Sequence, residues 1–262
     1  MLDIKHLMYQ KKTSQRETQE KTKYTIHAYK GEHTHPLSFL FIPSCQPSQF
    51  IQVVSIDPAT DNFAFRIEKR WINGYIETVC SDKVKFNRLI REDGYMSMFS
   101  ELVLFLDKFK TLYAETSLFI IERQMAINFN ATRVVHIIFG YYTTYIMGAT
   151  DNLSRVLIEI DPKVKGLMLG SPKGCDKPSL KKWGIDEATK LLNARKDFKG
   201  ISNLNSYKKR DDIADTVIQI EAFFKLIGLP LTGQSWTQTI EFSPIIIIDD
   251  EETDSGTFFL VD

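Results

Sequence analysis

The chain has 262 residues, enough for one sizeable core or two small ones, and with 43% hydrophobic and 25% charged residues it has the make-up of a soluble globular protein. Its formal net charge of zero hides an asymmetry: thirteen Lys and Arg against four acids between Lys163 and Arg210, then six acids and no base from Asp249 to Asp262. Cys45, Cys80 and Cys175 are far apart and form no CxxC, which excludes a disulfide or zinc framework and suits an intracellular, reducing compartment.

Residues 1–48 are polar, Lys-, Gln- and Thr-rich at first, and then carry Pro36, Pro43 and Pro47. They read as an extension with a helix near its start and a strand around Leu37–Ile42. No apolar signal core is present, and Glu17 and Glu20 among the cations argue against a mitochondrial presequence. From residue 49 to 230 the pattern sharpens into one domain. Phe50–Ile56 is an apolar strand ending in Asp57. Asn62–Trp71 alternates, with Phe63, Phe65 and Ile67 set against Ala64, Arg66 and Glu68. Asn73-Gly74 is a two-residue hairpin signal, and Tyr75–Cys80 returns as a third strand.

Met96–Tyr113 has helical spacing. Leu118–Ile121 is a short strand ending in Glu122. Ala131–Met147 is a second helix; His136, Thr143 and Thr144 make it a buried element rather than a membrane span. Val156–Ile160 is a strand, and Asp186–Asn193 a helix. A last helix begins near Asp211 and runs to about Leu226, stopped by Gly228 and Pro230. Residues 231–262 form an acidic tail with apolar runs at Ile245–Ile248 and Thr257–Val261. A leading antiparallel trio followed by alternating helices and parallel strands predicts an α/β fold, a mixed central sheet flanked by helices.

Asp57 and Glu122 end predicted central strands, where open α/β sheets build their sites. Asp212 and Asp215, three apart, share a helix face. Like charges gathered at the edge of a core repel unless a cation neutralises them. Each acid alone has a plain structural reading: a loop cap for Asp57, a surface pair with Arg123 for Glu122, and a helix N-terminus favouring anions for Asp211–Asp215. Together they predict a hard divalent cation, Mg2+ or Mn2+, with oxygen ligands. A pair of such ions can clamp the attacking and leaving oxygens of a phosphodiester.

Three blocks carry a resemblance: Ser55-Ile56-Asp57-Pro58-Ala59-Thr60, Ile120-Ile121-Glu122-Arg123-Gln124 and Lys209-Arg210-Asp211-Asp212-Ile213-Ala214-Asp215. In this order they resemble the signature blocks of RuvC-like Holliday junction resolvases, in the branch of poxviruses and other large DNA viruses; the fungal mitochondrial enzymes are similar too. The resemblance spans about residues 50–228. It implies a ribonuclease-H-like fold and an Mg2+-dependent endonuclease that resolves four-way junctions by paired symmetric nicks, with two ions per site. Asp57, Glu122, Asp212 and Asp215 would be the metal ligands. Lys165, in Val164–Gly170, resembles the family's lysine beside the scissile phosphate. Ala59 departs from the glycine usual there.

Arg123, Lys165, Lys173, Lys181, Lys182, Lys208, Lys209 and Arg210 are the predicted DNA contacts. Met125 is placed to wedge at a crossover or to sit buried. Two symmetric cuts suit a homodimer, with the helix carrying Tyr141, Tyr142 and Tyr145 as its interface. The acidic tail would compete with DNA for the basic face, or dock another protein. If the chain is viral, the resemblance implies work in the host cytoplasm at the viral replication site, with the mitochondrion as the alternative, and no membrane partner. Two alternatives stay open: a related nuclease for flaps, hybrids or transposon ends, and a non-catalytic DNA-binding scaffold of the same fold.

Overall fold

The strands of this chain assemble into one mixed sheet with helices on both faces. The computed structural model describes residues 26–29, 50–71, 73–86, 94–125, 127–147, 155–227, 232, 245–248 and 256–261. The expected strand at 37–42, the early helix and the Gly228/Pro230 stop lie outside these residues. In chain order the strands are β1 (Ile26–Tyr29), β2 (Phe50–Asp57), β3 (Phe63–Trp71), β4 (Ile76–Val84), β5 (Thr116–Glu122), β6 (Val156–Ile160), β7 (Ile245–Ile248) and β8 (Gly256–Val261). The helices are α1 (Tyr95–Asp107), α2 (Phe129–Tyr141), α3 (Lys163–Leu169), α4 (Lys177–Arg195), α5 (Phe198–Ser206) and α6 (Asp211–Leu226).

The sheet order is β4-β3-β2-β5-β6-β1-β8-β7. β2, β3 and β4 form an antiparallel meander, and β5 and β6 run parallel to β2. β1 pairs antiparallel with both β6 and β8, so strands from the segments at either end of the chain continue the sheet beyond β6.

β2 and β5 are apolar on both faces because both faces are covered. On one face Val54, Ile56, Phe65, Phe119 and Ile121 pack beneath α1 and α2, with Tyr113 and Tyr142 in the same cluster. On the other, Ile51, Val53, Ile120 and Ile158 pack against Ile220, Phe223 and Phe224 of α6. Fourteen of the sixteen residues of α6 are buried, since it lies between the sheet and α3 and α4 rather than on the surface.

Several boundaries differ from the expectations, each for a local reason. The β3–β4 turn is one residue longer than a two-residue hairpin: Trp71 N–H donates to the Tyr75 carbonyl at 2.8 Å and Gly74 N–H to that of Trp71 at 3.0 Å. Gly74 sits at φ +86°, the left-handed residue such a turn needs. The first expected helix ends at Asp107, and a tight turn over Leu112–Glu115 follows. The second winds into a π-turn after Tyr141. The helix expected at Asp186–Asn193 starts nine residues earlier, where the Asp176 side chain accepts the Ser179 N–H at 2.9 Å and Pro178 occupies the first turn. α5 was not expected; Asp197 caps it through the Gly200 N–H at 2.8 Å.

Candidate active site

The parallel register of β2 and β5 pairs Ile56 with Ile121, which brings Asp57 and Glu122 to neighbouring strand ends. α6 crosses above them and points Asp215 into the same space. Its register is held by Gln219, one turn further on, whose amide donates to the carbonyls of Ile56 at 3.4 Å and Ile120 at 3.2 Å. This buried amide, between Ile218 and Ile220, ties the helix to both strands just below the acids.

The centre of the cluster is Lys165, from α3. Its ammonium bonds Glu122 Oε2 and lies 2.9 Å from Asp215 Oδ1. α3 is short because Gly170, at φ +79°, closes it with an N–H donated to the Gly166 carbonyl. Burial pushes the Asp57 carboxyl well above its usual range, and Glu122, Asp215 and Asp212 add repulsion that Lys165 only partly offsets. Burial likewise raises Glu122, against the pull of Lys165. Burial would lower Lys165, but Glu122, Asp215 and Asp57 hold it well above the usual lysine range.

The other expected acid, Asp212, is on the same helix face but is differently engaged. It bonds the ammonium of Lys83, and Lys209 reaches both its oxygens at 2.8 and 2.9 Å. Asp211 pairs with Lys181 at 2.6 Å and lies 3.6 Å from Lys209. It does not cap the helix; the cap position is Arg210, which makes no side-chain capping bond.

Lys83 carries no motif of its own. Asp57 pairs with Ala64 and Ala64 with Lys83, so the three form one row across three strands, on the face that α6 covers. The only sequence signal is a lysine near the end of a strand.

A groove of about 930 Å3 opens beside α6, lined by Lys83, Lys85, Lys181, Lys182, Lys208, Lys209 and Arg210 among others. Lys182, Lys208 and Lys173 stand on the surface. Arg123 instead holds Asp161 at 2.5 Å, and Arg210 reaches Asn205 at 3.2 Å. Met125 is 68% exposed and Tyr145 53%, whereas Tyr141 and Tyr142 are core. Ala59 keeps a negative φ, so the turn after Asp57 accepts it in place of glycine.

As they stand, no three His, Cys, Asp or Glu side chains among the described residues are arranged to hold a metal ion. The Lys165 ammonium supplies the positive charge between the acids. The donors themselves, clustered carboxylates with no sulfur or imidazole among them, fit Mg2+ or Mn2+ by chemistry. No helix of the described residues is long and apolar enough to cross a membrane.

No family model matches the chain. Protein 97L of invertebrate iridescent virus 3 is 27% identical over 121 residues, 46% of this chain and about half, 54%, of that relative. Protein 170L of invertebrate iridescent virus 6 is 24% identical over 217 residues, covering 66% of this chain and 88% of its own length. Among solved structures, the yeast mitochondrial Holliday junction resolvase Ydc2 is similar at 12% identity and TM-score 0.47, over 72% of this chain and 85% of its own. Thermus thermophilus RuvC is similar at 9% identity and TM-score 0.43, over 66% and 95%. Fowlpox virus resolvase, solved with its Holliday junction substrate, is similar at 19% identity and TM-score 0.39, over 63% and 92%. The antiparallel β4-β3-β2 meander joined through β2 to parallel β5 and β6 decides the fold by its own topology. It is a ribonuclease-H-like fold.

Proposed function

We propose that this chain is a metal-dependent endonuclease that resolves four-way DNA junctions by paired, symmetric nicks. The observation that carries the reading is the meeting of Asp57, Glu122 and Asp215 around Lys165 at the ends of two parallel strands. The burial that keeps Asp57 and Glu122 from ionising easily is tolerated because a cation is meant to share the space.

Asp57, Glu122 and Asp215, with Asp212 beside them, would hold Mg2+ or Mn2+, two ions per site. When bound, such ions activate a water for attack on phosphorus and stabilise the departing 3′-oxygen. Lys165 keeps a fixed ammonium in the site, placed to stabilise charge on the phosphate as it develops. Lys181, Lys182, Lys208, Lys209 and Arg210 line the groove into which the flanking backbone would run, each neutralising one phosphate. Lys173 and Arg123 would extend that grip. A junction has two equivalent strands to cut, so two copies related by a twofold axis match it. The acidic tail would compete for the groove or hold another protein, and the site of action would be where viral DNA replicates in the cytoplasm.

The test is purified protein with Mg2+ on a mobile four-way junction, set against duplex, flap and RNA–DNA hybrid. Symmetric nicks on the junction are expected, and their loss in Asp57→Asn and in Asp215→Asn. Cleavage that survives both substitutions overturns the site. Cutting of flaps or hybrids in preference to the junction makes the chain a different nuclease of the same fold.

A further inference from the structure

Asp212, like its neighbours Asp211 and Asp215 on α6, is held by the chain's own lysines. Its carboxylate takes bonds from Lys83 and, through both oxygens, from Lys209. The Lys83 ammonium also donates to the Lys209 carbonyl at 3.0 Å, so the two lysines form one clamp. Lys83 is 7% exposed and Lys209 44%. One leg is therefore anchored on β4 and the other is open to the groove. Two ammonium groups on one carboxylate occupy most of its acceptor directions and repel any further cation. Both lysines also line the basic groove, as does Lys181, which is similarly engaged with Asp211.

We infer that Lys83 and Lys209 form a latch that keeps Asp212 from divalent metal until a phosphodiester backbone enters the groove and takes the lysines over. This rests on the function proposed above and adds regulation to the same site. In the DNA-free chain Lys209 and Lys181 are engaged with acids; a phosphate offers the same ammonium groups a competing anion. As they turn to it, Asp212 regains free oxygens beside Asp215. Metal and DNA then strengthen each other's binding, by the same factor in both directions. Lys83 is a positioning residue, since it acts through Asp212.

The measurement is Mn2+ affinity, read from free Mn2+ by electron paramagnetic resonance, for the full chain with and without a short plain duplex. The wild-type chain is expected to bind Mn2+ about tenfold more tightly with duplex present, within the usual range of coupling between two sites. Lys83→Gln and Lys209→Gln should bind Mn2+ without duplex about as tightly as the wild type does with it, and gain little when duplex is added. Lys209 is half-exposed, so its variant tests the latch even if Lys83→Gln does not fold. Asp212→Asn should abolish the duplex-dependent gain. Equal Mn2+ affinity in wild type and Lys209→Gln, or no effect of duplex on the wild type, overturns the latch. Junction cleavage by the wild type is scored separately, so a latch that fails in an active resolvase and a latch that holds in an inactive protein are told apart.

Discussion

Two charged clusters lie on the α6 side of the sheet, and they are built on opposite rules. Away from the strand ends, Glu68, Asp197 and Glu221 are matched by Arg66, Arg70 and Arg195. Glu68 takes Arg66 at 2.9 Å, Arg70 at 2.7 Å and Arg195 at 3.0 Å; Glu221 takes Arg70 at 2.6 Å and Arg195 at 2.7 Å. None of the six side chains is more than 3% exposed. Thr78 and Thr232 supply further partners. Gly200 packs so close that a Cβ there would stand 2.7 Å from the Thr78 hydroxyl. At the strand ends, by contrast, Asp57, Glu122 and Asp215 share one lysine.

The effect on the acids is opposite too. Burial works to raise Glu68 and Glu221, but the arginines win: Glu68 is held far below its usual range and Glu221 is brought down to about 2. In the other cluster burial wins, and Asp57 and Glu122 are raised. A balanced network of planar, always-charged guanidinium groups makes a fixed joint. An unbalanced set of acids with one ammonium is unstable by itself and ready for another cation. Buried acids thus occur in two different arrangements, and the ratio of charges tells them apart; the network is sealed, whereas Glu122 is 13% and Asp215 33% exposed.

The contrast can be tested from either side. The largest effect is expected at the network. Glu68→Gln leaves three buried arginines facing two acids and should cost about 3–5 kcal/mol, measured by urea unfolding. A cost under 1 kcal/mol would show that the network is not a structural joint. At the other cluster the sign reverses. Asp57→Asn should stabilise the metal-free protein by about 1 kcal/mol, because it relieves repulsion among the acids, while removing the cleavage proposed above. A destabilised Asp57→Asn would mean that the acid is a structural partner after all.

Stability against pH separates the two without regard to activity. A carboxyl raised on folding contributes stability below its unfolded value, near pH 4, and loses it as pH rises through the folded value. Asp57 and Glu122 therefore make the metal-free protein less stable as pH climbs above about 4. A lowered carboxyl contributes above its unfolded value and loses that contribution as pH falls. Glu221 and Glu68 thus weaken the fold on the acid side, Glu221 until the pH has passed down through about 2. Asp57→Asn should flatten the first limb only, and Glu221→Gln the second only; variants that flatten both limbs would show the clusters to be coupled. The smallest effect belongs to the groove. Lys182→Ala should weaken DNA binding at all sequences alike and reduce the salt slope by about one, seen in affinities across a salt series.

Most of the sheet is legible from residue pattern, because β2, β5 and β6 are apolar runs bounded by turns, and an acid at the end of such a run stands out. That is how Asp57 and Glu122 can be named from sequence, and the helix face gives Asp212 and Asp215. β3 is misleading. Its alternation suggests one wet face, yet Arg66, Glu68 and Arg70 face inward, since whether water or a second layer covers a polar face is decided by α4 and α6, far along the chain. α4 hides for a related reason: its polar surface leaves only a narrow buried stripe through Ala188, Leu191 and Leu192. Lys83 meets Asp212 only through a register that spans three strands, and no local spacing encodes that.

The pairing of β1 with β6 and β8 bears on synthesis. Ile26 emerges well before its partner Ile160, and Phe258 follows later still. During translation the first strand has nowhere to dock until β6 exists, and its outer side stays open until β8 arrives. Ladders between such distant segments form slowly, and an unpaired edge is sticky while it waits. The nascent chain therefore depends on later-made strands to finish what β1 begins.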